Sequence, residues 1–405
     1  MLFARVFGCV FLKIKQPLVI GEIVAGIFLG PSVLGNLFPQ FSAFVFPPES
    51  LSAILFLSQI GLVLFMFIIG LELDLKMIKN KASSTFLISH VSIVFPCFLG
   101  VALAYFLYEK YAPHNITFLA FSLFMGIAMS ITAFPVLARI IRDRNLTKTA
   151  MGVTALTCAA ADDVTAWCIL AAVVAIVKAG NIATAIYTVA FTFMYLLIMF
   201  LLIKPWLASL SKKYIKSNNI NKKVISFIFI LMFSSAYVAE LIGIHVLFGA
   251  FVAGVIIPDN PLLKEIFIQK IEDVSLVLLL PLFFVFTGLR TQVGLLNQGN
   301  LWLICGLIIL LAVVGKFVGS TLAARVVGKN WKDSLSIGAL MNTRGLMELI
   351  VLNIGYDLGI LSKEIFAMMV LMALVTTFMT GPLLDIINYF SNKSDLKRDI
   401  NFKNL

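Results

Sequence analysis

SITAFPVLAR, residues 130–139, interrupts an apolar run that is otherwise long enough to cross a bilayer. Pro135 has no backbone donor and disfavours helix at Phe134, so the run cannot form one unbroken helix; Ser130 and Thr132 offer oxygens to the backbone groups the break sets free. A second stretch, MNTRGLMEL at 341–349, has Asn342, Thr343 and Gly345 at its weak point. Irregular backbone at membrane depth is tolerated only where it is buried in protein or lines a cavity, so paired interruptions point to a transport site.

The surroundings of both stretches are membrane. The 405-residue chain is 61 % hydrophobic and 13 % charged, where a soluble domain is about half apolar and about a quarter charged. Apolar runs bounded by Pro, Gly and charge predict an all-α polytopic fold of thirteen segments, starting roughly at 1, 17, 52, 83, 116, 147, 183, 223, 244, 272, 300, 332 and 364. Most Lys and Arg fall in loops after odd-numbered segments and in the C-terminal tail, among them Lys76, Lys79, Lys81, Arg142, Arg144, Lys212, Lys213, Lys216, Lys222 and Lys223. The opposite loops hold few: Lys110, Lys178, Arg290 and Lys363. By the positive-inside rule the C-terminus is cytoplasmic and the N-terminus outside, in a multi-pass protein of the cell inner (plasma) membrane. The net charge of +11 is thus a topology signal and calls for no nucleic acid partner. Residues 1–12 make a helix of roughly 18 Å against a hydrocarbon core of roughly 30 Å. That first segment is expected to be truncated or to begin at a mis-called start codon, a reading that N-terminal mass analysis of native protein tests. No small-residue cleavage site of a signal peptide follows it.

Soluble chemistry is not written here. Cys9, Cys97, Cys158, Cys168 and Cys305 lie singly in apolar runs, and His90, His114 and His245 are scattered; neither set has metal-site spacing. There is no Walker A motif, no GxGxxG after a strand and no HExxH. The expectation is no enzyme and no cofactor.

GEIVAGI (21–27) matches GAFVAGV (249–255), and LFMFIIGLELDL (64–75) is echoed by LFFVFTGLRTQV (282–293), at offsets of 228 and 218 residues. Segments 2 and 3 therefore correspond to 9 and 10. A shift of seven segments inserts the second copy upside down, giving two inverted-topology six-helix repeats in which the interrupted segments 5 and 12 are equivalent and cross.

Ionisable residues well inside spans are Glu22, Asp162, Asp163, Lys316, Arg344 and Glu348, each costing roughly 2.5–3.5 kcal/mol on insertion scales unless partnered. Adjacent helical residues diverge by about 100°, so Asp162 and Asp163 cannot face one spot. Lys316, on segment 11, is paired with Asp162. Asp163 is left as the carboxylate open to a metal cation, with Thr132 or its backbone completing a hard-ion shell. Arg344 and Glu348, four apart, read as an intrahelical pair near the second break. Glu22, near Lys13 and Lys15, reads as a packing residue, and Glu72 and Asp74 as solvated. A desolvated carboxylate holds its proton tightly, and a cation arriving at the same oxygen must displace it. If only singly loaded carriers cross, cation and proton move in opposite directions.

QPLVIGEIVAGIFLGPSVLG (16–35), TAFPVLARI (132–140), AAADDVTAW (159–167), GKFVG (315–319) and MNTRGLMELIVLNIG (341–355) together resemble the monovalent cation:proton antiporter superfamily, in the branch of Kef-type, Nap-type and plant CHX exchangers. The resemblance implies a homodimer, with dimer or panel helices at 1–80 and 223–298, a core at 81–180 and 299–390 that moves like an elevator, a linker helix and basic loop at 181–222 and a polar cytoplasmic tail at 391–405. It implies that Asp163 binds the ion, that Asp162 is its acidic neighbour and that Lys316 is the core lysine paired with it. Two acids and a lysine imply two protons per cation and net charge movement, with Na⁺ favoured over K⁺; the CHX-like 341–355 stretch points instead to electroneutral K⁺/H⁺ exchange. Kef-type members append a nucleotide-binding regulatory domain, and the residues after Phe390 match none, so gating of that kind is not expected. Three rivals fit less well: a channel needs a continuous polar lining, a sodium-coupled symporter of the same fold uses fewer paired acids, and an intramembrane aspartyl protease places its acids on separate helices.

Overall fold

The computed structural model describes residues 2–14, 16–73, 82–179, 182–214, 222–258 and 260–403. Lys15, Asp74, Lys76, Lys79, Lys81 and Lys216, used above, lie outside these. Among the described residues every regular element is a helix, and eleven helices are long and apolar enough to cross a membrane. The apolar segments expected at 1 and 244 form shorter helices, α1 (Leu2–Lys13) and Val246–Val255, of 12 and 10 residues. Residues 38–74 and 167–286 make one compact unit, and residues 2–37, 75–166 and 287–405 another.

The second unit carries the interrupted helices. After α1 and α2 (Leu18–Leu29) come α3 (Ala82–Tyr111) and α4 (Phe118–Ser130), the latter capped where the Thr117 hydroxyl accepts from the Ala120 amide. Extended backbone at Ile131 ends α4, and α5 (Phe134–Asp143) restarts with Pro135 in its first turn, where a missing N–H costs nothing. Helix α6 (Ala150–Ala179) carries the aspartate pair. Next, α7 (Leu301–Val313) widens into a π-helical stretch, Val314–Val318, before α8 (Gly319–Val326). Asn330 caps α9 (Trp331–Met341) by accepting from the Asp333 amide at 2.7 Å. Gly345, at φ +148, then opens α10 (Leu346–Asp357), a conformation that a side-chain-bearing residue rarely adopts. Helix α11 (Lys363–Lys403) closes the chain.

Two glycine crossings bring backbones into direct contact. A Cβ at Gly288 would overlap the Gly26 backbone, and one at Gly70 would overlap Phe251 and Gly254.

Candidate ion-binding site

The two breaks meet. The Ala133 amide donates to the Thr343 carbonyl at 3.1 Å, and the Thr132 hydroxyl lies 3.4 Å from the Met341 carbonyl. Each interruption thus takes up backbone groups that the other sets free, as buried polar backbone requires.

Asp162 is buried to 0 % exposure beside this crossing and is saturated. Ser89 donates to one carboxylate oxygen at 2.6 Å; Ser92 at 2.5 Å, Thr132 at 2.9 Å and Lys316 at 3.3 Å reach the other. Lys316, also 0 % exposed, projects from the π-helical stretch and gives a second, shorter bond of 2.6 Å to the Thr132 hydroxyl. A Cβ on Gly315 would press on Pro96, so this glycine lets the lysine-bearing turn lie directly on α3.

Asp163 is different. It is 2 % exposed and neither carboxylate oxygen has a hydrogen-bond partner. The Phe134 amide at the start of α5, Asp162 and Lys316 set its electrostatic surroundings. A helix N-terminus favours negative charge, while the neighbouring carboxylate opposes it.

Arg344 and Glu348 are fully buried and 3.1 Å apart. The expected intrahelical pair differs in one respect: the helix begins only at Leu346, so Arg344 belongs to the break and Glu348 to the first turn of α10. The guanidinium also donates to the Ala128 carbonyl at 3.0 Å and the Met129 carbonyl at 2.6 Å. These lie in the last turn of α4, whose carbonyls have no intrahelical donor. Arg344 therefore neutralises the C-terminal end of one broken helix from the interruption of the other. Glu22 is 1 % exposed, and its carboxylate lies 3.6 Å from Arg5 of α1, a partner other than the Lys13 and Lys15 expected nearby.

A cavity of about 430 Å³ opens near Gln16, Arg139, Asp143, Arg144, Thr377 and Asp385. Thr377 also borders a small internal void of about 10 Å³ that reaches Val136 and Gly345 at the breaks.

A family model described as "Sodium/hydrogen exchanger, transmembrane" matches residues 1–387. The chain belongs to the sodium/hydrogen exchanger family. It is 43 % identical over 381 residues to the Na(+)/H(+) antiporter NhaS4 of Synechocystis sp., covering 94 % of this chain and 93 % of that one. It is 39 % identical to cation/H(+) antiporter 17 of Arabidopsis thaliana, covering 98 % of this chain and 48 % of the relative. To K(+)/H(+) antiporter 1 of Saccharomyces cerevisiae it is 32 % identical, covering 96 % and 46 %. The chain thus spans about half the length of the plant and yeast relatives. Among solved structures it matches the sodium proton antiporter MjNhaP1 of Methanocaldococcus jannaschii with a TM-score of 0.64 at 12 % identity, over 94 % of this chain and 93 % of that one, which shows a shared fold.

For this sodium/hydrogen exchanger family member, a multi-pass membrane protein, the site contains side chains that the sequence reading passed over. Ser89 and Ser92, with Thr85, sit at spacings of four and three on α3. That polar stripe on an apolar helix was the signal for them. Thr132, expected as a cation ligand, has its hydroxyl already engaged by Lys316 and Asp162.

Proposed function

We propose that this chain exchanges a monovalent cation for protons across the membrane, the two competing for the Asp163 carboxylate. The observation that carries the reading is the contrast within the pair: Asp162 has four side-chain donors and Asp163 has no side-chain donor, although both are buried. A buried carboxylate without partners is costly as a bare anion. It is relieved by a proton or by a cation, and a single open carboxylate serves one at a time. Arg344 and Glu348 compensate each other at the crossed breaks and Lys316 faces Asp162, which leaves Asp163 as the carboxylate that the cation meets.

Na⁺ is the favoured cation, in keeping with the name of the cyanobacterial relative; K⁺ is the alternative, in keeping with that of the yeast one. The glycine crossings support the inverted repeat within a thirteen-segment chain. Gly26 and Gly254 occupy equivalent positions of the two sequence copies, as do Gly70 and Gly288, and the two contacts, Gly26 with Gly288 and Gly70 with Gly254, are the pair that a two-fold relation generates. The remaining parts of the reading are an elevator movement of the core (81–180 and 299–390) against panel helices (1–80 and 223–298), a homodimer and a cytoplasmic C-terminus.

Reconstitution in proteoliposomes with an internal pH dye tests the proposal. Na⁺ or K⁺ added outside is expected to evoke proton movement in the wild type and none in Asp163→Asn. Undiminished exchange in a well-folded Asp163→Asn protein overturns the site.

A further inference from the structure

With the Thr132 hydroxyl bound to Asp162 and Lys316, a neutral side-chain oxygen for a monovalent cation beside the Asp163 carboxylate comes from another residue. Asn342 has the chemistry and the place. It is 0 % exposed, and neither its carboxamide oxygen nor its nitrogen has a hydrogen-bond partner. Asp163 and Asn342 are the described side chains with two such atoms each.

Backbone contacts on either side of Asn342 tie it to the first break. Met341, before it, faces the Thr132 hydroxyl through its carbonyl, and Thr343, after it, accepts from the Ala133 amide. The Thr343 hydroxyl lies 3.1 Å from that of Thr380 on α11, fixing the turn from the far side. Burying a carboxamide without partners is costly, and a leucine of similar size would avoid that cost. An orphaned amide at this crossing is stable to retain if a loaded state of the carrier engages it.

We propose that Asn342 is a specificity-determining residue: its carboxamide oxygen joins the Asp163 carboxylate around the bound cation, and the count and spacing of these oxygens set the preference among Li⁺, Na⁺ and K⁺. The inference rests on the exchange reading above. It adds a neutral ligand from the second broken helix to the charged one on α6. The protonated carrier has no use for this oxygen, so the residue acts on the cation half of the cycle.

The test compares wild type, Asn342→Leu and Asn342→Asp in proteoliposomes, each titrated separately with Li⁺, Na⁺ and K⁺, together with cation-induced thermal stabilisation of the purified proteins. Asn342→Leu is expected to raise the half-saturating concentration of the preferred cation about tenfold, to change the ratios among the three cations and to lose the cation-induced rise in Tm. Asn342→Asp, of nearly the same size, is expected to keep binding while reordering the three ions and making half-saturation more dependent on pH. Unchanged ratios among the cations in both variants overturn the inference, whatever happens to the maximal rate, because a purely structural role scales all three ions alike. If Asn342→Leu does not fold, Asn342→Asp decides by the same ratios. Absence of cation-evoked proton movement in the wild type is a separate outcome that removes the exchange reading itself, whereas a working wild type with unaltered Asn342 variants removes this inference alone.

Discussion

Asp162 and Asp163 are adjacent, buried alike and surrounded differently. Asp162 holds an ammonium and three hydroxyls, an arrangement in which the charged pair is sustained by its additional hydrogen bonds. Removing one partner of such a pair leaves a buried charge uncompensated. Lys316→Ala is therefore expected to lower stability by about 3–5 kcal/mol, read as a fall in Tm of the detergent-solubilised protein. Adding Asp162→Asn to that variant removes the orphaned charge and should recover most of the loss. A double variant no more stable than Lys316→Ala would show that the lysine acts through something other than Asp162. On the exchange reading proposed above, the same logic singles out Asp163, whose oxygens have no side-chain partner.

At the scale of elements, each broken helix completes the other. Arg344 leaves the second break to cap the carbonyl end of α4, while Thr343 takes the amide freed at Ala133. The remaining constraint is close approach of backbones at the glycine crossings. Introducing a side chain there forces helices apart, and overpacking costs about 1–3 kcal/mol or more. Gly288→Leu and Gly70→Leu should each lower Tm and the yield of folded protein. Gly306→Leu is the control, because a Cβ there meets nothing within 4 Å. Equal Tm values for all three variants would remove the crossings as a packing determinant.

Across the whole molecule the charge carried per cycle is the open quantity on which energetics turn. On the two-proton reading that the two acids and the lysine suggest, each cycle moves one net charge, worth about 2.3 kcal/mol per 100 mV. Exchange by the wild type is accordingly expected to accelerate or slow when a potential is imposed with a K⁺ ionophore, and Asp162→Asn is expected to keep exchange while losing that response. A wild type indifferent to an imposed potential supports the electroneutral alternative.

Hydropathy marked the eleven described helices long enough to cross a membrane, because a lipid-facing helix must be apolar along its length whatever it packs against. It also counted two shorter apolar helices as segments. Pro135 and the Asn342–Gly345 stretch marked both interruptions for an equally local reason, the loss of a backbone donor or of helical dihedrals. The buried ionisable residues were legible as well, since charge inside an apolar run is conspicuous without knowing its partner. Partners were another matter. Ser89 and Ser92 read as ordinary small polar residues, Thr132 as a free ligand, and Arg344 as a local mate of Glu348, until folding brought α3, α4, the π-helical turn and the second break together. Which of two neighbouring carboxylates is saturated depends on donors 30 to 154 residues away in the chain, and only tertiary contact assigns them.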